Sequence, residues 1–360
     1  IRRITLESEK SYGDTARFVS EQIRAGRVAV VPTLCQYVAV VDPATNMQEP
    51  AVSDIGPRDK FDSWLSCADR SAFGALFPTS SAVMRRLARA LLPGAVIFSG
   101  LPTHATREDG IELWATVCGH PFLREVARQL AQPVLTIGLR GGGPTSCEQD
   151  RIVAAFGRTP ELVVDHGPTR FTQPPTVLAF RDHSWRVSRK GIVSERYIAK
   201  KAQSLVLFVC TGNSCRSPMA EYLFRDALKK KLGPEVNLSD AGHEVASAGV
   251  SAYSGGPISE GSREMLRQRG IDAGDHRSQP VTVDLLQRAA RVFTMTQSHR
   301  HAVLDILPEA ADRVALLDPK GDIADPIGGG PGDYDRCAKQ IDAAVALRVE
   351  EYVNEDRNWE

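Results

Sequence analysis

Residues 204–221 have the sequence SLVLFVCTGNSCRSPMAE, and the fold of the second half of the chain is predicted from them. The apolar, β-branched run 205–209 predicts a buried parallel strand. Ser217 and Pro218 predict the start of a helix, with Ser217 as the N-cap and Pro218 at the first helical position. The segment from Cys210 to Arg216 is therefore expected to form a tight loop between a strand and a helix N-terminus.

The loop 210–216 has the composition of an anion-binding site. Its backbone N–H groups and those of the first helical turn would converge near the positive end of the helix dipole. The same field favours the thiolate form of Cys210, which is the nucleophile. Arg216 offers a planar fork of donors that can bind two phosphate oxygens at once. The alternative is a structural cysteine and a surface arginine, but the combined strand, turn and helix signals favour phosphoryl transfer to sulfur.

The string VLFVCTGNSCRSPMAE resembles the signature of the low-molecular-weight protein tyrosine phosphatase family. The resemblance continues through VASAGV (245–250), HRSQPVT (276–282), VFTMT (292–296) and ADPIGGGPGDYDRC (324–337). It implies a small doubly wound parallel sheet, Cys210 as nucleophile, Arg216 as phosphate ligand and Asp325 as general acid, without metal or cofactor. It also implies a phosphate-binding loop made of Thr211, Gly212, Asn213, Ser214, Cys215 and Ser217.

Further roles follow from the same resemblance. Asn213 would brace the loop, because asparagine tolerates a left-handed backbone. Ser217 would donate a hydrogen bond to the Cys210 thiolate, and Ser247 and His276 resemble family residues that tie to the loop. Cys215 has two interpretations, a partner for a reversible disulfide with Cys210 and a small buried residue.

The phosphorylated residue that the site would accept depends mainly on Ser214. Family members that act on phosphotyrosine usually carry a larger aliphatic residue there and aromatic residues after the Asp-Pro, whereas this chain has Ile327 and Gly328. The match is closer to the protein-arginine phosphatases, since a small polar side chain leaves room and an acceptor for a guanidinium group. Phosphotyrosine remains open, and so does the arsenate reduction catalysed by a related thiol fold.

The first half of the chain alternates helical and strand patterns from Gly13 onward. Predicted helices cover 14–26, 80–94, 120–133 and 145–157, and predicted strands cover 27–33, 95–100, 133–139 and 161–168, followed by a hairpin over 176–191. This order predicts an α/β domain with a twisted mixed sheet. The polar, basic segment 192–203 predicts a linker. The chain is therefore divided into domains 1–200 and 201–360.

The order of these pieces resembles the YrdC/Sua5 family, which makes threonylcarbamoyl-adenylate from threonine, bicarbonate and ATP for tRNA modification. Matching fragments include VPT (31–33), PRDK (57–60), GHP (119–121) and VDHGP (164–168). The resemblance implies ATP with Mg and threonine as ligands of this half. The residues that it places at the ligand site are Thr33, Tyr37, Arg58 and Lys60.

Departures from that family predict reduced activity. Asp54-Ile55-Gly56 precedes Arg58 where the family has a second cation, Val38 replaces a glycine and Pro175 replaces a serine. Each lost charged hydrogen bond would cost about 1.5–3 kcal/mol of preorganised ATP contact. Three readings stay open: a supporting or regulatory scaffold, a module that binds a nucleotide or RNA, and an active synthase that makes the chain bifunctional.

Composition narrows the classes of partner. Lys plus Arg and Asp plus Glu both number 44, so no global basic excess predicts DNA binding. No apolar run approaches the ~20 residues of a membrane span. The cysteines are scattered without paired metal-ligand spacing, which predicts no metal site and a reducing, cytoplasmic compartment. The expected partner is a phosphorylated protein.

Overall fold

The structure is a computed structural model that describes residues 1–6, 12–43, 60–77, 81–101, 112–142, 148–157, 159–181 and 184–355. The chain divides into two compact units: the first runs from Ile1 to Ala202 and the second begins at Gln203. Within the described ranges, no helix is both long and apolar enough to cross a membrane.

The first unit contains a ten-stranded sheet with helices on both faces. Its described elements are β1 (Arg2–Thr5), α1 (Tyr12–Arg24), β2 (Ala29–Pro32), β3 (Tyr37–Val41), β4 (Phe61–Cys67), α2 (Arg70–Leu76), α3 (Ala82–Leu91), β5 (Val96–Gly100), β6 (Leu113–Val117), α4 (Pro121–Leu130), β7 (Val134–Leu139), α5 (Gln149–Ala155), β8 (Leu162–Asp165), β9 (Thr176–Arg181), β10 (Ser184–Arg189) and α6 (Glu195–Ala202).

The strand order is β1-β8-β2-β3-β7-β4-β6-β5-β9-β10, with parallel and antiparallel neighbours. This confirms the predicted α/β fold with a mixed sheet. Successive strand residues face opposite sides, as the period of two requires: Val31 packs with α1 and α4, whereas Val30 packs with α5. The predicted hairpin is the antiparallel pair β9–β10, and its turn at Asp182-His183 lies outside the described residues.

Several elements of the first unit differ from the prediction. Strands β1, β3, β4 and β6 and helix α2 are present where no element was predicted. The segment predicted as a linker contains α6, which buries Ile198 and Ala202 against the core next to α3. Its exposed lysines and arginine gave the segment a linker-like composition, but two apolar side chains spaced four apart are enough to dock a short helix.

The second unit contains a four-stranded, all-parallel sheet in the order β12-β11-β13-β14. Its elements are β11 (Ser204–Cys210), α7 (Arg216–Leu232), β12 (His243–Gly249), α8 (Glu260–Arg267), α9 (Val283–Arg288), β13 (Ala289–Thr294), α10 (Gln297–Ile306), a 3₁₀ helix (Pro308–Arg313), β14 (Val314–Leu316) and α11 (Pro331–Glu355).

Strand β11 is the centre of the second unit and is buried along its whole length. Val206 and Phe208 face α7, α8 and α11, whereas Leu205, Leu207 and Val209 face α9 and α10. Strands β12 and β13 lie on its two sides, so the carboxyl end of β11 is a topological switch point, where open α/β sheets bind ligands. This position predicts where the functional site lies.

Helix α7 begins two residues earlier than predicted. Cys215 is its N-cap and the Met219 N–H donates to the Cys215 carbonyl oxygen at 3.2 Å, so Arg216 rather than Pro218 opens the helix. Proline is tolerated throughout the first turn because those N–H groups have no intrahelical partner. Its first half is buried on all sides rather than along one stripe, since it lies between the sheet and α8 and α11.

Candidate active site

Cys210 is the last residue of β11, and its side chain is 3 % exposed. The strand register pairs it with Gly249 of β12. The Val250 N–H donates to the Cys210 carbonyl at 3.0 Å, and the Ser251 N–H donates to the Thr211 carbonyl at 2.9 Å. The chain that follows β12 therefore holds the start of the loop 211–215 in place.

Two polar groups contact the Cys210 sulfur, one from the loop and one from the first turn of α7. The Ser217 hydroxyl lies 3.0 Å from Sγ, and the Asn213 backbone N–H donates to Sγ at 3.3 Å. The Ser217 oxygen also accepts from the Asn213 Nδ2 at 3.0 Å, and its own proton has two acceptors within reach, Sγ at 3.0 Å and the Ala248 carbonyl oxygen at 3.4 Å. The two contacts tie Sγ to the loop and to the first turn of α7.

Asn213 is the brace of the loop. It is fully buried and has φ of 55°, in the left-handed region that asparagine tolerates better than most residues. Its Nδ2 donates to Ser217 and, at 2.8 Å, to Ser247, and its Oδ1 accepts from the Gln279 N–H at 2.9 Å. Every polar atom of the side chain is thus used to fix the loop.

A second layer of polar groups supports Asn213. His276 Nε2 lies 2.8 Å from the Asn213 carbonyl oxygen, and because a carbonyl only accepts, this ring nitrogen carries a proton. The Ser247 hydroxyl donates to Glu221 Oε2 at 2.6 Å. Burial raises the pKa of Glu221, an effect that Ser247 and then Arg225 oppose. Glu221 was not among the site residues predicted from the sequence, although an acidic residue near the apolar start of a helix is a usable signal.

Arg216 and Asp325 form an ion pair beside the loop. Arg216 is almost fully buried, and its Nη1 donates to the Ile323 carbonyl at 3.0 Å, which fixes the guanidinium. Its Nη2 contacts Asp325 Oδ2, and the other carboxylate oxygen accepts from the Ile327 N–H at 3.2 Å. Asp325 keeps 38 % of its side chain exposed, so its carboxyl group is accessible beside the loop.

His299 of α10 is a site residue that the sequence analysis missed. Its Nε2 lies 2.8 Å from the Thr211 hydroxyl, which also accepts from Arg216 Nη2 at 3.4 Å. Burial, followed by the charge of Arg216, lowers the pKa of His299 to about 4. The VFTMT string ends at Thr296, the N-cap of α10, so a histidine in the first turn of that helix was a signal available in the sequence.

Gly249 is required for the close approach of β12 and the loop. A Cβ atom at this position would lie 2.5 Å from the Thr211 carbonyl oxygen and 2.8 Å from the Asn213 nitrogen. Both contacts are with backbone atoms, which cannot rotate away as a side chain would. The loop could therefore keep its position only if this residue remains glycine.

Cys215 and Ser214 lie on the side of the loop near α11. The Cys215 sulfur is buried, 3.8 Å from the Tyr334 hydroxyl and 3.7 Å from the Ser214 hydroxyl. Gly261 lets the tyrosine ring approach, because a Cβ there would come within 2.7 Å of three ring atoms. Cys210 and Cys215 are both free thiols. In the described ranges, no three His, Cys, Asp or Glu side chains are grouped as a metal would require.

The predicted ligand residues of the first unit are placed as follows. The Thr33 hydroxyl donates to the Gln36 carbonyl at 2.7 Å and accepts from the Gln36 N–H at 3.1 Å, which closes a turn at the edge of a cavity. Tyr37 is buried, and its hydroxyl donates to the Gly167 carbonyl at 2.7 Å. Lys60 is exposed and directly precedes β4, and Arg58 lies outside the described residues.

The second unit thus has a cysteine at a parallel-strand end, a loop closed by a helix N-terminus, and a buried arginine beside a carboxylate, the features of a cysteine-nucleophile phosphatase. Residues 205–358 match the family model described as low molecular weight phosphotyrosine protein phosphatase. The chain belongs to this family.

The relatives that are similar to this chain include both protein-arginine-phosphatases and tyrosine phosphatases. A protein-arginine-phosphatase of Geobacillus stearothermophilus is 36 % identical over 155 residues, which are 42 % of this chain and 97 % of the relative. A protein-arginine-phosphatase of Bacillus subtilis is 34 % identical, covering 38 % of this chain and 89 % of its own length. A probable low molecular weight protein-tyrosine-phosphatase of Ralstonia nicotianae is 35 % identical, covering 34 % and 77 % respectively.

Proposed function

We propose that the second unit hydrolyses phosphotyrosine or phosphoarginine in protein substrates through a cysteinyl-phosphate intermediate on Cys210. The observation that carries this proposal is the position of Sγ, which is contacted by Asn213 of the loop and by Ser217 of the first turn of α7, next to Arg216. A thiolate held among phosphate ligands is a nucleophile already positioned for in-line attack.

In the first step, the Cys210 sulfur attacks phosphorus, the S–P bond forms and the bond to the leaving oxygen or nitrogen breaks. Asp325 donates a proton to the leaving group, because its carboxyl group is partly exposed beside Arg216. Arg216 and the loop N–H groups stabilise the charge that develops on the phosphoryl oxygens.

In the second step, water attacks the phosphorus of the cysteinyl-phosphate. Asp325 accepts a proton from this water, the S–P bond breaks, and inorganic phosphate leaves with the thiolate restored. The positive field comes from side chains and backbone of the chain itself, so the family chemistry needs neither metal nor organic cofactor.

We favour phosphoarginine as the substrate. The half-exposed Ser214 presents a small hydroxyl at the loop, and Ile327 and Gly328 follow the Asp-Pro where aromatic rings would grip a phenyl group. Two relatives of this chain carry the name protein-arginine-phosphatase, and others carry the name of tyrosine phosphatases. Phosphotyrosine is therefore the alternative that the experiment must compare.

The test measures phosphate release by the full chain from matched phosphoarginine and phosphotyrosine peptides. Cys210→Ser is the control, since a hydroxyl at this position is far less nucleophilic than a thiolate. Turnover that disappears in Cys210→Ser supports the proposed chemistry, and the ratio of kcat/KM values for the two peptides identifies the substrate. If the reduced, folded protein acts on neither peptide, the protein phosphatase proposal is wrong and arsenate reduction by Cys210 and Cys215 becomes the next candidate.

For the first unit we propose a YrdC/Sua5-like scaffold with reduced or regulatory activity. The support is that the hydroxyls of Thr33 and Tyr37 already have hydrogen-bond partners within the chain: Thr33 closes a turn with Gln36, and Tyr37 donates to the Gly167 carbonyl. Lys60 remains exposed beside the segment that contains Arg58.

Two assays separate the alternatives for the first unit. Pyrophosphate release that depends on both ATP and threonine would identify an active synthase and a bifunctional chain. A rise in Tm with a nucleotide or RNA, without turnover, would identify a binding module. Three of the four tryptophans, Trp64, Trp114 and Trp185, lie in strands of the first unit, so most of the tryptophan fluorescence follows its unfolding.

A further inference from the structure

His299 joins the phosphate-binding loop to the first turn of helix α10. Its ring is 5 % exposed, and both ring nitrogens have hydroxyl partners at 2.8 Å: Nδ1 meets Thr296, the N-cap of the helix, and Nε2 meets Thr211. Thr211 directly follows Cys210 and is exposed at the surface of the loop. Because the ring is buried and both of its nitrogens have short polar contacts, it fixes the position of the Thr211 side chain.

The direction of these hydrogen bonds follows from the donors available. Arg216 only donates, so the Thr211 oxygen accepts at that contact. Thr296 Oγ1 accepts from the His299 backbone N–H at 3.3 Å and also lies 2.8 Å from the Ser298 hydroxyl. We infer that Ser298 donates the second hydrogen bond to this oxygen, which directs the Thr296 proton to the ring nitrogen Nδ1 at 2.8 Å. A neutral imidazole has one N–H, which then lies on Nε2 and donates to Thr211.

The charges around the ring are consistent with the neutral form. Burial is the largest effect on the pKa of His299 and Arg216 lowers it further, whereas Asp325 and Asp322 raise it; with a pKa of about 4 the imidazole is uncharged at pH 7. With one bond accepted from His299 and one from Arg216, both lone pairs of the Thr211 oxygen are occupied. The only remaining capacity of this hydroxyl is its proton.

We propose that His299 is a positioning residue that turns the Thr211 hydroxyl into a hydrogen-bond donor for an oxygen of the bound phosphoryl group. The inference rests on the proposed function of the loop as a phosphate site. A hydroxyl without these partners rotates between donor and acceptor orientations, whereas the contacts with His299 and Arg216 would hold Thr211 as a donor.

The experiment is a double-mutant cycle on the full chain with Thr211→Val, His299→Leu and both together. The readouts are kcat and KM for a phosphopeptide and, independently, the Kd for inorganic phosphate. Each single variant is expected to weaken phosphate binding by about 10- to 100-fold, the loss of one hydrogen bond to a charged group. The double variant is expected to bind phosphate no more weakly than the single variant with the higher Kd, because both substitutions remove the same donor.

Two further variants distinguish positioning from structural support. His299→Gln, whose amide N–H can reach Thr211, is expected to recover part of the phosphate affinity lost in His299→Leu. His301→Leu is the matched control, since His301 is an exposed histidine on the same helix, and it is expected to leave phosphate affinity and turnover unchanged.

Losses that multiply in the double variant would overturn the inference, as would His299→Leu with normal phosphate affinity. If His299→Leu does not fold, Thr211→Val decides alone, since an unchanged Kd for phosphate contradicts a donor at this position. Failure of the proposed function is distinguishable: the wild-type chain would then bind inorganic phosphate with the expected pattern among variants but would release none from the phosphopeptides.

Discussion

Replacement of Asn213 by alanine tests whether a polar network determines the shape of the phosphate-binding loop. The substitution removes the two hydrogen bonds that Nδ2 donates to Ser217 and Ser247 and the one that Oδ1 accepts from the Gln279 N–H. It also places alanine at φ of 55°, where a Cβ is disfavoured.

The expected loss of stability can be summed from these contacts. Three buried hydrogen bonds at about 1 kcal/mol each contribute about 3 kcal/mol. The left-handed backbone adds about 1 kcal/mol for alanine relative to asparagine. Asn213→Ala is therefore expected to lower the unfolding free energy of the second unit by about 4 kcal/mol, which is large for a single substitution. Turnover should fall with it, since Ser217 loses the donor that orients its proton towards Cys210.

The measurement is native-state hydrogen exchange by mass spectrometry, with the free energy of opening read from peptides of β11 and α7. Exchange is preferred to fluorescence because Trp64, Trp114 and Trp185 report on the other unit. Asn237→Ala is the matched control, because Asn237 is exposed and its Oδ1 only accepts two backbone N–H groups of a turn. Its effect should stay near 1 kcal/mol, the cost of a lost cap.

A loss below about 1 kcal/mol in Asn213→Ala, with turnover close to that of the wild type, would refute the reasoning, since one buried hydrogen bond alone is worth that much. The loop would then keep its shape through its backbone bonds to the segment after β12, and the asparagine would only fill space.

Three further predictions concern other positions. Gly249→Ala should reduce turnover more than tenfold, because its Cβ would displace the backbone of Thr211 and Asn213; unchanged steady-state kinetics would contradict the contact distances. Asp325→Asn should lower kcat by about 10²- to 10⁴-fold while phosphate still binds, as expected for loss of a general acid, and an unaltered kcat would assign that role elsewhere. Burial lowers the pKa of His120 from 6.5 to about 4, so between these pH values the unfolded chain binds a proton that the folded chain does not. The first unit should therefore lose stability as the pH falls from 6.5 to 4. Urea unfolding followed by fluorescence should show that this loss is smaller in His120→Asn than in the wild type.

Local signals were sufficient for the strand, loop and helix around Cys210. The β-branched run, the Gly-Asn turn and the first-turn proline all act within a few residues, and β11 and α7 form there. The predicted start of α7 was wrong by two residues, because Pro218 is compatible with any position of the first turn.

Contacts that depend on distant segments could not be predicted in the same way. His299 meets Thr211 across a separation of 88 residues, and Glu221 meets Ser247 across 26, and neither pairing leaves a periodic pattern in the sequence. Strands β3 and β4 both pair with β7, and β6 pairs with β4, so each has a partner that is remote in the sequence. Their pairing depends on register between remote segments, whereas single-sequence patterns report only local periodicity.

The central position of β11 determines when the catalytic apparatus can assemble during synthesis. The strand that ends in Cys210, the proposed nucleophile, is made before both of its sheet neighbours, and Arg216 is separated from Asp325, the proposed acid, by 109 residues. Every pairing of β11 is therefore non-local and forms only after loop-closure entropy has been overcome. A ribosome-bound chain that ends before Asp325 carries the thiol and the arginine without the acid, so phosphatase activity should appear only when the segment preceding the last helix has left the exit tunnel.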